Sequence, residues 1–164
     1  MTVTDPAGDP SLLQTVIETE HRRLAQVLRE ARRDTSGTPG VHEELVLHLA
    51  TSLARHLNAE IALILPYVQS SLGDDLNADL AEDTRTLRRL FDDDSLAWDL
   101  DQVGVALTHH AAVIDRLLDN LRARIGGKRM ANLGYEFGRA AEAAPARIPP
   151  AGRPLAFDHW PMQG

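Results

Sequence analysis

One helical stripe constrains this 164-residue chain more than any other feature of its sequence. At helical spacing, the stripe consists of Leu49, Leu53, His56, Glu60, Leu63 and Tyr67. Its members are apolar or aromatic except His56 and Glu60, which stand one turn apart. A histidine and a carboxylate that both point into an apolar core need either each other or a metal ion as a partner. The other helices therefore decide how this pair is interpreted.

The distribution of apolar residues and chain breaks predicts an all-α protein. Hydrophobic residues make up 43% of the chain and aromatic residues only 4%, which favours an aliphatic, helical core. Long amphipathic patterns predict helices over residues 11–33, 41–71, 74–92 and 96–124, with a kink near Pro66. A shorter helix is predicted over residues 128–143. Short connections between the four long helices predict an up-down-up-down four-helix bundle.

The predicted domain organisation follows from these elements. Residues 1–10 form a flexible lead-in, residues 11–126 the bundle and residues 127–144 a short C-terminal helix. Residues 145–164 are rich in proline and are expected to form an extended tail.

Each of the other three long helices also carries one polar residue on its inward stripe. These residues are His21 in the first helix, Thr84 in the third and His110 in the fourth. All of them lie near the middle of their helices, and the midpoints of antiparallel helices share one layer. We therefore expect these three side chains to meet His56 and Glu60 in the middle of the bundle. His109 lies one position off the stripe and is expected to point partly away.

Three histidines and one glutamate in a single buried layer favour a metal site. The predicted ligands are His21, His56, Glu60 and His110. This donor set suits Fe(II) and also Zn(II). The same residues can instead form a metal-free polar layer in which every buried polar atom has a hydrogen-bond partner. The pattern by itself leaves both interpretations open.

Charge and composition argue against several other functions. The formal net charge is −7 without a basic stripe, which does not favour nucleic-acid binding. No apolar run has the length of a membrane span, and the lead-in lacks the features of a secretory signal, so a cytoplasmic location is expected. The absence of cysteine excludes thiolate ligands and disulfides. No phosphate-binding loop or activated nucleophile indicates a particular enzyme reaction.

The arrangement resembles the hemerythrin-like (HHE cation-binding) domain family. The matching motifs are Glu20-His21-Arg22, His56 and Glu60 followed by Leu65-Pro66, His109-His110, and Leu133-Gly134. The resemblance implies that non-haem iron is held between the four helices; members of the family hold two irons bridged by carboxylates. It also implies a role in binding O2 or in sensing or processing reactive oxygen or nitrogen species.

Two positions depart from the pattern of that family. Thr84 occupies the position of the third-helix histidine, and Ile114 occupies the position of a second carboxylate. Asp83 and Asp115 are each one step away from these positions and are expected to be rotated off the inward stripes. The resemblance therefore implies a reduced site with one iron or another divalent ion, and a small diatomic ligand such as O2 or NO. The alternative is a metal-free bundle that serves as a structural or protein-interaction module.

Overall fold

The computed structural model describes residues 12–34, 38, 40–71, 74–91 and 99–144. Its helices are α1 (Leu12–Arg33), α2 (Val41–Leu63), α3 (Leu65–Ser71), α4 (Asp74–Phe91), α5 (Leu100–Ile125) and α6 (Gly127–Ala143). No strand occurs within these ranges, which confirms the predicted all-α class. Across the same ranges, no helix combines the length and apolarity needed to cross a membrane. The predicted lead-in and proline-rich tail lie outside the described residues.

The kink predicted near Pro66 is a break between two helices. α2 ends at Leu63 and α3 begins at Leu65, so Ile64 separates them. A proline has no N–H to donate to the carbonyl four residues earlier, and its ring crowds that carbonyl. The backbone N–H of Tyr67 instead donates to the carbonyl of Ile64 at 3.0 Å, a tighter turn that restarts the helix.

The start of α5 is set by a side-chain cap. The carboxylate of Asp99 accepts hydrogen bonds from the backbone N–H groups of Asp101 and Gln102. These N–H groups lie in the first turn, where the helix has no carbonyl to accept them. The helix therefore begins at Leu100, four residues later than the sequence indicated. At the other end, Gly126 adopts a positive φ of 78° that a glycine tolerates easily, and α6 follows at once.

The apolar side chains form two separate clusters, with a polar layer between them. Helix α1 packs against α2, α5 and α6, and α4 packs against α5, as expected of a helix bundle. Four helices connect one cluster to the other. The connecting pairs are Ile17 and Leu24 in α1, Leu57 in α2 and Ile64 directly after it, Leu80 and Leu87 in α4, and Leu107 and Ile114 in α5. The predicted polar residues therefore lie between two apolar regions.

Gly134 allows α6 to lie very close to α1. A Cβ atom placed at Gly134 would lie 2.5 Å from the backbone nitrogen of Leu13 and 2.8 Å from the carbonyl carbon of Leu12. These are backbone atoms near the start of α1, so the overlap cannot be relieved by a side-chain rotation. α6 covers α1 and α2 only because this position has no side chain.

We therefore expect Gly134→Ala to destabilise the fold by about 1–3 kcal/mol, as overpacking in a close-packed core generally does. The midpoint of urea denaturation measures this change. Gly138→Ala is the matched control, because a Cβ atom at Gly138, one turn later, meets nothing within 4 Å. That variant should be stabilised by about 0.5–1 kcal/mol through its higher helix propensity. Equal effects of the two substitutions would contradict the close approach.

Candidate metal centre

The structure brings the four predicted ligands together. His21 comes from α1, His56 and Glu60 from successive turns of α2, and His110 from α5. One potential ligand atom from each of the four lies within 4.8 Å of every other. This group is a buried His/Glu cluster that can hold a metal ion. Of the five residues predicted to converge, the cluster contains these four, and it does not contain Thr84.

Short distances connect the side chains of this cluster. Nε2 of His21 lies 3.0 Å from Nε2 of His56 and 3.9 Å from Oε1 of Glu60. Glu60 lies between the other two histidines: its Oε1 is 3.1 Å from Nε2 of His56, and its Oε2 is 3.1 Å from Nε2 of His110. All three imidazoles therefore direct the same ring atom, Nε2, at a common region.

The three shortest of these separations are close to those of two ligands on one ion. Imidazole nitrogens and carboxylate oxygens bind first-row divalent metals at about 2.0–2.2 Å. Two such ligands are then about 3.0 Å apart at a right angle and about 3.4 Å apart at a tetrahedral angle, from the same bond lengths. The three shortest separations in the cluster, 3.0, 3.1 and 3.1 Å, fall at the lower end of this interval.

Two inward-facing atoms of the cluster lack a hydrogen-bond partner. His56, Glu60 and His110 are buried, and among the described residues Glu60 Oε1 and His110 Nε2 make no hydrogen bond of acceptable geometry. Leaving a buried polar atom unpaired costs about 1–3 kcal/mol. A metal ion in the cluster would bind both atoms. Nδ1 of His56 is also unpaired, but it lies on the other side of its ring and would not be satisfied in this way.

Burial and neighbouring charges shift the pKa values of His21 and His110 in opposite directions. Burial, reinforced by His56, lowers the pKa of His21 from 6.5 to about 3, so this imidazole is neutral. Burial alone would lower the pKa of His110, but the carboxylates of Glu60 and Asp83 outweigh it and raise the pKa to about 10. For Glu60, burial favours the neutral acid, yet His110 and His56 hold its pKa well below the ordinary value. Glu60 is therefore ionised.

The inward polar residue of α4 is Asp83, and the expectation for this helix was wrong by one position. The buried carboxylate of Asp83 accepts hydrogen bonds from Nδ1 of His110 at 2.6 Å and from Nδ1 of His109 at 3.0 Å. Thr84 is only half-buried and is not part of the ligand cluster. Two histidine donors compensate the burial of an aspartate, and this pairing could not be seen from the spacing within α4 alone.

Thr84 and Ile114 lie beside Glu60 at a small cavity. Its lining is Glu60, Ile61, Ile64, Leu65, Leu80, Thr84 and Ile114. The cavity has a volume of about 10 Å³, which is near the minimum for one water molecule. Asp115, the carboxylate next to Ile114, is exposed and does not enter the site.

Helix α6 also contributes to the surroundings of the site. The ring of Phe137 meets the imidazole of His56 edge to face, with 5.7 Å between the ring centroids. Phe137 is fully buried and covers one side of the cluster. The remaining described histidines are not part of the cluster: His42 and His48 are exposed, and the side chain of His109 is 66% exposed. His159 lies outside the described residues.

Comparison with protein-family models, with curated proteins and with solved structures found no match.

The two shifted histidine pKa values predict how the stability of the metal-free protein depends on pH. As pH falls from 6.5 towards 3, the unfolded chain protonates His21 while the folded chain does not, so stability is lost. As pH rises from 6.5 towards 10, the unfolded chain loses the proton of His110 while the folded chain keeps it, so stability is lost again. Stability should therefore be greatest near pH 6.5.

Urea denaturation between pH 4 and 9.5, in the presence of a chelator, measures this profile. The decrease on each side should amount to a few kcal/mol, since one pKa unit corresponds to about 1.4 kcal/mol. In the His21→Ala variant the acid side should become shallower while the alkaline side is unchanged. A flat wild-type profile would show that neither histidine has the environment described above.

Proposed function

We propose that this chain is a hemerythrin-like bundle that holds one divalent metal ion, iron or another divalent metal, at His21, His56, Glu60 and His110, and that the bound ion takes a small diatomic ligand such as O2 or NO. The observation that carries this proposal is the convergence of four potential ligand atoms, within 4.8 Å of one another, between two apolar clusters. The unpaired atoms of Glu60 and His110 support it, because a metal would satisfy both.

The arrangement of the clusters supports a hemerythrin-like, up-down-up-down order of the helices. One cluster contains Leu13 and Ile17 from the beginning of α1 and Leu80 from the first half of α4, together with Ile64 after the end of α2 and Leu121 near the end of α5. Alternating helix directions would bring these ends to the same side of the layer. The prediction from the sequence and the packing thus favour the same topology.

The cavity beside Glu60 supports one ion rather than two. A second ion would need further ligands near Glu60, but Thr84 and Ile114 line that space together with aliphatic side chains. Two divalent ions with only Glu60 as a carboxylate ligand would also be poorly neutralised in a buried site. The cavity therefore lies where a histidine and a carboxylate would otherwise contribute to a second metal.

The donor set indicates the class of metal. Three imidazoles and one carboxylate suit Fe(II) and Zn(II), and zinc generally binds such sites more tightly. His21 supplies a neutral donor, because its pKa is lowered to about 3, and Glu60 supplies a negative charge. The ligand residues lie between two apolar clusters. Iron bound here would supply redox chemistry and an open coordination position for a diatomic ligand.

One observation favours the alternative, a metal-free bundle with a structural or protein-interaction role. Between Glu60 and Asp83, His110 has a raised pKa, so a protonated His110 is compensated by carboxylates on both sides. Such a layer can persist without a metal if its polar atoms are satisfied. The unpaired atoms of Glu60 and His110 argue against this alternative.

Anaerobic loading with Fe(II), followed by exposure to NO, tests the proposed function. We expect the absorption spectrum of the loaded protein to change on addition of NO, with saturation at one NO per bound iron. The matched control is His48→Ala, which removes an exposed histidine from α2, the helix that carries His56 and Glu60. This variant should respond to NO like the wild type. A loaded protein that does not respond to NO would contradict the ligand-binding role, whereas the absence of bound iron would contradict the metal site.

A further inference from the structure

Asp83 makes the most constrained polar contacts of α4. Its carboxylate is 3% exposed, and each oxygen has its own histidine: Oδ2 lies 2.6 Å from Nδ1 of His110, and Oδ1 lies 3.0 Å from Nδ1 of His109. An ionised carboxylate can only accept hydrogen bonds, so both Nδ1 atoms act as donors. The Asp83 side chain is thus fixed at both oxygens by adjacent residues of α5.

This contact decides which nitrogen of His110 is available to a ligand. With the proton held on Nδ1 by Asp83, the neutral imidazole carries its lone pair on Nε2. That atom is directed at the cluster and lies 3.1 Å from Oε2 of Glu60. Partners of this kind fix the tautomer and orientation of metal-binding histidines and make the imidazole a better donor.

We infer that Asp83 is a positioning residue of the metal centre: it presents Nε2 of His110 to a divalent ion and supplies a second buried negative charge. This inference rests on the proposed function, because it concerns the same ion. It also assigns a role to a carboxylate that lies outside the ligand set.

The charges of the layer agree with this role. The carboxylates among its described residues are Glu60 and Asp83, and His21 and His56 can each contribute an imidazole nitrogen that carries no negative charge. With His110 bound through a neutral ring, two carboxylates balance one divalent cation. A second divalent cation would leave an excess positive charge between two apolar clusters. Asp83 therefore favours occupancy by a single divalent ion.

The side chain of His109 completes the arrangement from the surface. It is 66% exposed, yet its Nδ1 is bonded to the oxygen of Asp83 that does not face His110. A second donor on the same carboxylate restrains its rotation, so the bond to His110 keeps its direction. This explains why two consecutive histidines occur in α5 although only His110 enters the cluster.

The test compares Zn(II) affinities of the full-length chain, measured by competition with a chromogenic chelator. Asp83→Asn keeps the shape of the side chain but removes its charge and one acceptor. We expect it to bind Zn(II) about 10–100-fold more weakly than the wild type, the usual effect of losing a carboxylate partner of a metal-binding histidine. In the Co(II)-loaded protein, the visible ligand-field bands should shift, because the donor strength of His110 changes.

Leu87→Ala is the control for a purely structural effect. Leu87 is fully buried one turn after Asp83, but it belongs to the apolar cluster that also contains Leu24 and Leu57. This variant should therefore be destabilised. Its Zn(II) affinity should stay within about threefold of wild type. Equal affinities of wild type and Asp83→Asn would overturn the inference, as would an equal loss of affinity in Leu87→Ala. A wild-type protein that binds no metal would overturn the proposed function, and this inference with it.

Discussion

Replacing Ile114 by glutamate should destabilise the metal-free protein by about 3–5 kcal/mol, the usual range for a buried charge without a partner. Ile114 is fully buried in α5, one turn after His110, and it lines the cavity beside Glu60. A carboxylate at this position would be desolvated and would lie near another negative charge. Urea denaturation in the presence of a chelator measures the loss of stability.

Ala112→Glu is the matched control, because Ala112 is exposed on the same helix. This variant should differ from wild type by less than about 0.5 kcal/mol, as surface substitutions usually do. If Ile114→Glu were as stable as Ala112→Glu, residue 114 would not face the interior beside the site. Added Fe(II) should recover part of the stability of Ile114→Glu, since a ligand that binds only the folded form stabilises it.

The combined variant Thr84→His/Ile114→Glu should bind about two iron ions per chain instead of one. Both positions line the cavity that also contains Glu60, so the new imidazole and carboxylate would enter the same space. Together they would supply two ligands and one negative charge for a second divalent ion. Iron content after anaerobic loading and desalting gives the stoichiometry.

Thermal melts provide an independent measurement for the combined variant. Free Fe(II) at about 100 times the dissociation constant should raise the free energy of unfolding by about 2.7 kcal/mol for each additional site. Thr84→His alone serves as the control and should still bind one ion, since it adds no charge. A combined variant that still binds one ion, and that gains no more stability from iron than Thr84→His does, would show that residues 84 and 114 do not face a metal position.

The sequence was sufficient to predict the convergence of His21, His56, Glu60 and His110. Helical periodicity fixes which face of each helix is buried, and short connections make the midpoints of neighbouring helices coincide. Neither argument needs knowledge of individual contacts. The break before α3 was predictable for a similar reason, because Pro66 acts on the backbone of its own helix.

The sequence was not sufficient to distinguish Asp83 from Thr84 on α4. Leu80 and Leu87 define the buried stripe, and positions 83 and 84 both fall within it, because residues three and four apart lie on the same helical face. The predicted stripe gave Thr84 the preference over Asp83. The preference reverses when donors are present on another helix, and here His109 and His110 of α5 supply them. Such a contact depends on the exact rotation of both helices.

The close packing of α6 also exceeded what the sequence indicated. A short helix over residues 128–143 was predicted, but not that Gly134 would permit backbone contact with α1 or that Phe137 would reach His56. Both features require the relative position of two helices that are far apart in sequence.

The most direct test of the account is the number of metal ions that the protein retains after anaerobic loading with Fe(II) and desalting, measured together with protein concentration. We predict one ion per wild-type chain. The His21→Ala variant removes the least buried of the four proposed ligands and should retain less than a tenth of this amount. A wild-type protein that retains no metal would contradict the metal site, and one that retains two ions would contradict the single-ion centre formed by His21, His56, Glu60 and His110.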